Sequence, residues 1–434
     1  MTNAADAQSD VRVLIDVSGS MKQNDPSNLR IPATKLLLKL IPDGTEAGVW
    51  TFGEKVSAIV PLHEVNSVWR NGAANQLGKI GSAELFTNIG LALETSASGW
   101  EKSEKGKKRT VILLTDGMVD VSKSPVDNAV ARSAVLEKTL AKLAEEGVQI
   151  HTIALSDNAD TDLLKTLSIK TNGDFNVAKN ADELLKIFLK VFDKTVPQEQ
   201  VPLEDNKFNI DTSVEEFTAL VFRSKTDAVT ELVTPMGGHI SANKLPSNVS
   251  WFHDKNYDLV TVTKPQAGKW NILGDIDPAN RVTVVTNLSL AMEGMPNNII
   301  EGEKVNMSMH LEEDGKLLNN RAFLSLLDIE FAQTKSTGEN FVGKLSIDKN
   351  GNPRVPEDGI YSVVLGKTLT EGDHEFAVML DGKTFKRKRT HSMHVYKDVL
   401  DVQSHNAEKE GETASIILTP KNGLIDPEKT KLVL

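Results

Sequence analysis

Apolar residues in the first 195 positions form short runs that alternate with segments of helical spacing. Residues 11–15 and 110–114 are largely apolar runs, which is typical of strands that are covered on both faces. Residues 126–146 instead carry apolar side chains at helical spacing and end before Gly147, a residue that commonly stops helices. The same criteria predict helices over 33–40, 87–96, 161–169 and 181–192 and strands over 48–52, 56–62 and 148–155. Because strands and helices alternate, we predict an α/β fold with a doubly wound, mainly parallel sheet.

After residue 195 the pattern changes to short alternating runs with turn residues between them. Such runs, for example residues 219–223 and 259–263, are typical of strands in β-sandwich modules. We therefore predict a multidomain chain in which all-β sandwich modules follow the α/β domain. The predicted parts are a disordered segment at 1–10, the α/β domain at 11–195, a linker at 196–202, a β-sandwich module at 203–281, an Ig-like β-sandwich module at 282–397 and the start of a further, truncated β-module at 398–434.

Composition narrows the classes of function. The chain has 434 residues, a net charge of −11 and no cysteine. The negative charge argues against nucleic acid or an anionic membrane surface as the main partner. The lack of cysteine excludes disulfide scaffolds, cysteine–zinc sites, iron–sulfur clusters and a thiol nucleophile. Since no run of about 18 apolar residues occurs, we expect no direct insertion of this sequence into a membrane.

Three separated segments place oxygen-bearing side chains at or beside predicted strand ends. The first strand ends in the pattern Asp16-x-Ser18-x-Ser20, so one carboxylate and two hydroxyls leave a single strand end. Thr87 stands at the predicted start of a helix, and Asp116 follows a buried strand. The carboxyl ends of parallel strands meet at one edge of a sheet, where open α/β sheets bind ligands. We therefore expect these five side chains to gather at that edge.

The donor set indicates the kind of ligand. Two carboxylates and three hydroxyls suit Mg²⁺ or Mn²⁺, which prefer oxygen ligands, octahedral geometry and retained water. The set offers no histidine and no sulfur, which disfavours zinc and copper. Taken singly, the segments have plainer interpretations as helix caps and a routine turn. Their agreement in residue type, order and strand-end position favours the metal site.

This pattern resembles the complete metal-ion-dependent adhesion site (MIDAS) of the von Willebrand factor A (vWA) family, which includes the integrin inserted domains and the vWA subunits of chelatases. The resemblance covers about residues 11–194 and fills all five motif positions, with glycine directly after the last aspartate. The motif residues are Asp16, Ser18, Ser20, Thr87 and Asp116. The resemblance implies that the serines and the threonine are direct ligands of Mg²⁺ or Mn²⁺, whereas the aspartates act through water. It also implies that the ion keeps an open position for an Asp or Glu of a protein partner.

Two other motifs have structural interpretations. The basic run 386–389 is expected to be a solvated strand or sheet edge, where lysine and arginine oppose aggregation. Residues 348–352 resemble the opening of a calcium loop, but the glycine comes one position early and no glutamate stands at the twelfth position. A hairpin turn is the favoured interpretation of that segment.

The leading hypothesis is a non-enzymatic, metal-dependent protein-binding or adhesion protein, with no catalytic residues and no organic cofactor. A vWA domain followed by β-sandwich modules resembles the layout of exported bacterial vWA proteins and, more loosely, of surface adhesins and calcium-activated-chloride-channel regulators. We therefore expect a periplasmic or cell-surface protein that is associated with the membrane of the cell envelope, from which a signal peptide and an anchor have been removed.

Two alternatives stay open. One is an intracellular vWA scaffold for a motor ATPase, which would be a separate polypeptide because this chain has no Walker A pattern. The other is Mg²⁺-dependent phosphotransfer with Asp16 as the nucleophile. Enzymes of that kind usually carry a second aspartate two residues later, where this chain has Ser18, and a lysine from a later strand end, which we do not find.

Overall fold

The structure is a computed structural model that describes residues 9–100, 107–156, 158–225, 228–348, 350–352, 354–397, 399–405, 415–421 and 424–425. The chain divides into two compact units. The first unit comprises residues 1–196, 296–303 and 394–434, and the second comprises residues 197–295 and 304–393.

A six-stranded sheet forms the centre of the first unit. Its strands are β1 (Ser9–Asp16), β2 (Glu46–Phe52), β3 (Val56–Glu64), β4 (Lys108–Thr115), β5 (Val148–Ala154) and β6 (Phe175–Val177). The spatial order is β3-β2-β1-β4-β5-β6, and every neighbouring pair is parallel except β2 with β3. The chain therefore winds outward in both directions from β1. This order confirms the predicted doubly wound, mainly parallel α/β sheet.

Helices cover both faces of this sheet. They are α1 (Met21–Asn24), α2 (Arg30–Leu40), α3 (Ser67–Gln76), α4 (Ile89–Ser96), α5 (Pro125–Ala134), α6 (Leu140–Glu145), α7 (Thr161–Lys170) and α8 (Ala181–Thr195), with a short 3₁₀ turn at Leu77–Lys79. The long helix predicted over 126–146 is present as α5 and α6, joined by one turn of π-helix at Val135–Thr139. It ends at Gly147, whose φ of +70° is a conformation that glycine adopts without strain.

The helix α3 was not predicted from the sequence pattern. Its apolar spacing is weak, and Ala73 is its one buried residue. The helix nevertheless has a well-formed start, because the side chain of Asn66 accepts a hydrogen bond from the backbone amide of Trp69 at 2.8 Å. Capping and tertiary contacts thus stabilise a helix that periodicity alone does not indicate.

The remaining strands follow α8. They are β7 (Gln200–Val201), β8 (Lys207–Ile210), β9 (Val214–Phe222), β10 (Glu231–Val233), β11 (His239–Ile240), β12 (Val249–His253), β13 (Tyr257–Thr263), β14 (Gly268–Leu273), β15 (Arg281–Thr286), β16 (Leu288–Glu293), β17 (Asn298–Ile300), β18 (Val305–Glu313), β19 (Lys316–Leu317), β20 (Asp328–Lys335), β21 (Asn340–Lys344), β22 (Tyr361–Leu365), β23 (Gly372–Asp381), β24 (Lys386–Tyr396), β25 (Leu400–His405) and β26 (Ser415–Pro420), with one short helix, α9 (Arg321–Leu324).

The second unit is built from antiparallel β-sheets. Two four-stranded sheets have the orders β11-β10-β14-β8 and β16-β18-β19, with β22 also paired to β18. The largest sheet runs β12-β13-β9-β15-β7-β24-β23-β20-β21. One core of this unit gathers Phe217, Trp270 and neighbouring aliphatic side chains, and the two rings meet edge to face at 5.0 Å. The predicted all-β character of this region is confirmed.

Several strands cross the boundaries that the sequence predicts. The strand β7 lies within the predicted linker 196–202, and β15 spans the predicted boundary between residues 281 and 282. Ser9 and Asp10 belong to β1 rather than to a disordered segment, while residues 1–8 lie outside the described part of the chain. In the predicted last module, β25 pairs with β26, and residues 406–414 and 426–434 lie outside the description.

The basic run at 386–389 is not the solvated edge that its composition suggests. It begins β24, which lies between β7 and β23. The Arg387 side chain has no exposed surface, and its guanidinium pairs with Asp211 at 2.7 Å. It also donates to Ser213 Oγ at 2.8 Å, to Thr286 Oγ1 at 3.0 Å and to the carbonyl of Leu288 at 3.0 Å. The expectation was wrong for Arg387 because the carboxylate of Asp211, two hydroxyls and two backbone carbonyls replace water around it.

The first unit contains a buried histidine that should make its stability depend on pH. His151 lies in β5, and its Nδ1 accepts a hydrogen bond from the backbone amide of Asp174 at 3.1 Å. Burial lowers the pKa of His151 from 6.5 to about 4, although the negative charge of Asp174 opposes this. Between these pH values the unfolded chain binds more protons than the folded chain. The free energy of unfolding therefore decreases as the pH falls from about 6.5 towards 4.

We expect His151→Asn to remove this pH dependence. The variant should be less stable than wild type at pH 7, and the difference should shrink by about 3 kcal/mol by pH 4, because only wild type must keep an imidazole neutral. Hydrogen exchange of the β4 and β5 amides at several pH values measures the free energy of unfolding of this unit. Exposed His63→Asn is the matched control. If the stability difference between wild type and His151→Asn stays constant from pH 7 to pH 4, the pKa of His151 is not lowered by burial.

Candidate metal centre

The carboxyl ends of two neighbouring strands form the base of the predicted site. The strands β1 and β4 run parallel with Ile15 opposite Leu114, so Asp16 and Thr115 end the two strands side by side. Both are fully buried. The chain leaves β1 through Ser18, which is buried, and Ser20, which is exposed. The segment therefore leads from the core to the surface within four residues.

The carboxylate of Asp16 is held at both oxygens. Its Oδ1 accepts from the backbone amide of Ser18 at 2.8 Å, and its Oδ2 accepts from the hydroxyl of Thr115 at 2.5 Å. Burial raises the pKa of Asp16 to about 6, the hydrogen bonds from Ser18 and Thr115 oppose this rise, and the charge of Asp116 adds to it. A cation beside the two carboxylates would relieve this penalty, because it favours their charged forms.

Asp116 is the centre of a second set of contacts. Its Oδ1 accepts from Ser20 Oγ at 2.9 Å, and Ser20 Oγ lies 3.0 Å from Ser18 Oγ. Its Oδ2 accepts from the Asn24 side-chain amide at 2.9 Å, and its carbonyl accepts from Ser156 Oγ at 2.8 Å. Residues from both strand ends thus form one hydrogen-bonded cluster. Asn24 is a member that the sequence motif does not indicate.

Thr87 reaches the same place from a third segment. Its backbone amide donates to the carbonyl of Asp120 at 2.7 Å, and the Asp120 amide donates back at 3.1 Å. Its hydroxyl oxygen lies 3.4 Å from the position that a Cβ on Gly117 would occupy, so it adjoins the peptide that follows Asp116. Among the described residues, this hydroxyl has no hydrogen-bond partner. It is free to act as a ligand.

The position of Thr87 in the sequence suggested that it caps the following helix, but it does not. The cap of α4 is Asn88, whose side-chain oxygen accepts from the backbone amide of Leu91 at 3.0 Å. The reason is the two-way pairing of Thr87 with Asp120, which keeps its backbone outside the helix. The helix 87–96 therefore begins at Ile89, and the hydroxyl of Thr87 is not used for capping.

A buried arginine braces the loop after β1. Arg30 at the start of α2 has no exposed surface and donates to the carbonyl of Asp16 at 2.5 Å. It pairs with Asp25 at 2.7 Å, and it donates to Asn28 Oδ1 at 2.6 Å and to Ser82 Oγ at 2.9 Å. The fork of the guanidinium therefore ties the end of β1 to two neighbouring loops.

The residues present fit a divalent cation. The cluster offers oxygen atoms alone, from two carboxylates and three hydroxyls, which is the donor type that Mg²⁺ and Mn²⁺ prefer. In the described part of the chain, no group of three or more histidine, aspartate or glutamate side chains is placed to hold a metal. A cation at this edge would therefore depend on the hydroxyls, which would be supplied by Ser18, Ser20 and Thr87.

The structure brings the five predicted motif residues together, but sequence reasoning missed the residues that orient them. Four of the five, Asp16, Ser18, Ser20 and Asp116, lie in a connected set of hydrogen-bonded residues, and Thr87 adjoins them. The supporting residues Asn24, Asp25, Arg30, Thr115 and Ser156 were missed. Thr115 carried the clearest signal, since a hydroxyl directly before the aspartate ends the same buried strand. The direct and water-mediated roles within the motif stay a prediction.

Comparison with known proteins agrees with the fold. The family described as von Willebrand factor type A domain matches residues 10–190. None of the curated proteins compared with the chain matches it. Among solved structures, a von Willebrand factor type A protein from Catenulispora acidiphila is similar, with 16% identity, a TM-score of 0.36 and coverage of 70% of this chain and 63% of its own.

Two further structures are similar over a shorter part of the chain. Proximal thread matrix protein 1 from the mussel byssus, in a structure with a zinc-occupied MIDAS motif, has 22% identity, a TM-score of 0.35 and coverage of 46% of this chain and 50% of its own. BatB from Bacteroides thetaiotaomicron has 16% identity, a TM-score of 0.35 and coverage of 43% of this chain and 98% of its own. The chain thus spans less than two thirds of the Catenulispora and mussel proteins.

The family match and the observed topology cover the same part of the chain. The match begins and ends within the stretch that carries the six-stranded sheet and its helices. Residues 10–190 of this chain are therefore a von Willebrand factor type A domain.

Proposed function

We propose that this protein binds a partner protein through its vWA domain, and that a divalent cation, Mg²⁺ or Mn²⁺, links the domain to an Asp or Glu of the partner. The observation that carries the proposal is the all-oxygen cluster at the sheet edge, in which buried carboxylates adjoin hydroxyls that lead to the surface. The bound cation would supply a positive charge and exchangeable positions for an acidic oxygen.

The division between neutral and charged donors supports this proposal. Asp16 is fully buried and Asp116 nearly so, whereas Ser20 is exposed. A cation that contacts the hydroxyls would thus retain net positive charge towards solvent. Such a site favours an incoming carboxylate over a neutral group. We therefore propose an acidic partner residue rather than an amide or a hydroxyl.

We also propose that the site is not enzymatic. A phosphotransfer enzyme would need a carboxylate oxygen of Asp16 to attack a phosphorus atom. Both oxygens of Asp16 already accept hydrogen bonds, from Ser18 and Thr115, and the side chain has no exposed surface. These contacts and this burial support a structural role for the Asp16 carboxylate.

The proposal includes an exported protein of the cell envelope that functions in adhesion. Its support is the order along the chain, in which antiparallel β-sheets follow the vWA domain. Among the described residues, no helix has the length and apolar character of a bilayer-spanning segment.

The proposed function predicts metal-dependent capture of acidic peptides. With Mn²⁺, the protein should bind short peptides that contain a single Asp and ignore matched peptides with Asn in its place. EDTA should abolish the binding, and excess Mg²⁺ or Mn²⁺ should restore it. Thr87→Ala should weaken it at least about tenfold, because the variant loses a ligand without losing core volume. Fluorescence anisotropy with labelled peptides measures the dissociation constants.

The control variant is Thr166→Ala on α7, which removes a hydroxyl that bonds to the carbonyl of Asp162 on the helix surface. It should bind like wild type. Capture that is equally strong in EDTA, or equal for the Asp and Asn peptides, would rule out the metal-linked mechanism while leaving the fold assignment intact.

A further inference from the structure

Two large apolar side chains are exposed beside the metal centre. Leu85 has 78% of its surface exposed, and Met118 has 60%. Loops at the edge of a sheet are usually polar, because they meet water. Single exposed apolar residues are common on protein surfaces, so the position of these two matters more than their exposure.

The backbone places Leu85 next to the loop that follows β1. Glu84 pairs with Ser18 in a parallel bridge, and the Glu84 amide donates to the carbonyl of Val17 at 3.1 Å. Leu85 is the next residue, and Thr87 follows two positions later. Leu85 is therefore flanked on both sides by segments that contact or contain metal-site residues.

Met118 is placed near Thr87 by a similar argument. It follows Gly117, which lies against the Thr87 side chain, and it precedes the segment in which Asp120 pairs with Thr87. Asp116 is two residues before it. Leu85 and Met118 thus each stand two positions from a motif residue, Thr87 and Asp116 respectively.

The loops that carry these side chains are held in place by specific contacts. Asn128 on α5 donates to Asp120 at 2.9 Å, and its side-chain oxygen accepts from the amides of Val121 and Ser122. Gly53 has no room for a Cβ, because that atom would lie 2.2 Å from Cβ of Glu84. The surface around Leu85 and Met118 is therefore preformed, as an efficient docking surface should be.

We infer that Leu85, Met118 and the metal centre form one docking surface, and that it fits a partner segment in which the acidic residue has apolar neighbours. This inference rests on the proposed function and names the partner more closely. The carboxylate would approach the cation while the neighbouring apolar side chains cover Leu85 and Met118. Burial of two such side chains should strengthen binding at least about tenfold.

The test compares two labelled peptides in Mn²⁺ by fluorescence anisotropy, one containing Leu-Asp-Leu and the other Ser-Asp-Ser. Wild type should bind the leucine peptide at least about tenfold more tightly. The double variant Leu85→Ser with Met118→Ser should lose most of this preference and keep the wild-type affinity for Mn²⁺, measured by calorimetry. Val68→Ser on α3 is the matched control, because Val68 is 79% exposed and lies outside these segments.

The outcomes separate the two proposals. Equal, EDTA-sensitive binding of both peptides by wild type would overturn this inference and leave the proposed function intact. A preference for leucine that persists in the double variant would also overturn it. If neither peptide binds in an EDTA-sensitive manner, the proposed function fails and this inference fails with it.

Discussion

The double variant Asp16→Asn with Asp116→Asn should bind Mn²⁺ at least about 100-fold more weakly than wild type. The two carboxylates are the negative charges of the cluster, and no group of three or more His, Asp or Glu side chains that could hold a metal occurs in the described part of the chain. Two lost ionic interactions in a buried site each contribute about tenfold or more. Isothermal titration calorimetry gives both dissociation constants.

Asparagine keeps the shape of each side chain, so the hydrogen bonds from Thr115 and Asn24 need only a local rearrangement. Circular dichroism should therefore report a folded variant. The matched control is Asp162→Asn, which removes an exposed carboxylate from α7 and should leave metal affinity unchanged. If the double variant binds Mn²⁺ as tightly as wild type, the metal site lies elsewhere in the molecule.

The variant Arg387→Met should lower the free energy of unfolding of the second unit by about 3–5 kcal/mol. Removal of the guanidinium leaves Asp211 without its ion pair, and Ser213 and Thr286 each lose one of their hydrogen-bond partners. Burial by itself would raise the pKa of Asp211, and hydrogen bonds from Arg387 and Ser213 hold it below its ordinary value. A methionine fills similar volume, so the loss reports the unpaired charge rather than a cavity.

A double-variant cycle separates these contributions. Arg387→Met combined with Asp211→Asn should recover part of the lost stability, because no unpaired charge is then buried. The control is Lys388→Met, the partly exposed neighbour on the same strand, which should change stability by about 0.5 kcal/mol at most. Urea dependence of hydrogen exchange in β9 and β24 provides the free energies. A loss below about 1 kcal/mol for Arg387→Met would show that the ion pair of Arg387 with Asp211 contributes little to stability.

The fold of the vWA domain was predictable because its signals are local. Each buried strand is a short apolar run, and each of the longer helices has an apolar face, so periodicity within about ten residues suffices. The alternation of strands and helices then predicts a mainly parallel sheet, because βαβ connections join parallel strands. The shared location of the five motif residues was predictable for the same reason, since strand ends of a parallel sheet share one edge.

The features that sequence reasoning missed depend on contacts between distant positions. Arg387 meets Asp211 across 176 positions, and nothing near either residue indicates the other. Asn24 meets Asp116 across 92 positions and looks like an ordinary loop residue in the sequence. The same applies to β15, whose strand partner β9 begins some 70 positions earlier and places it in the sheet that the preceding module forms. Tertiary pairing decides these cases, and local pattern does not reveal it.

The position of Arg30 bears on the speed with which the site responds to an ion. Its guanidinium fixes the end of β1, the loop at Asp25 and the loop at Ser82 from inside the domain. Under the proposed function, the loop would thus already be in place when an ion arrives, and no slow folding step would precede ion binding. For Mg²⁺, which gives up its water reluctantly, the rate of association is then set by dehydration of the ion itself. Mn²⁺ and Mg²⁺ would then differ in their association rates, even where their affinities differ little.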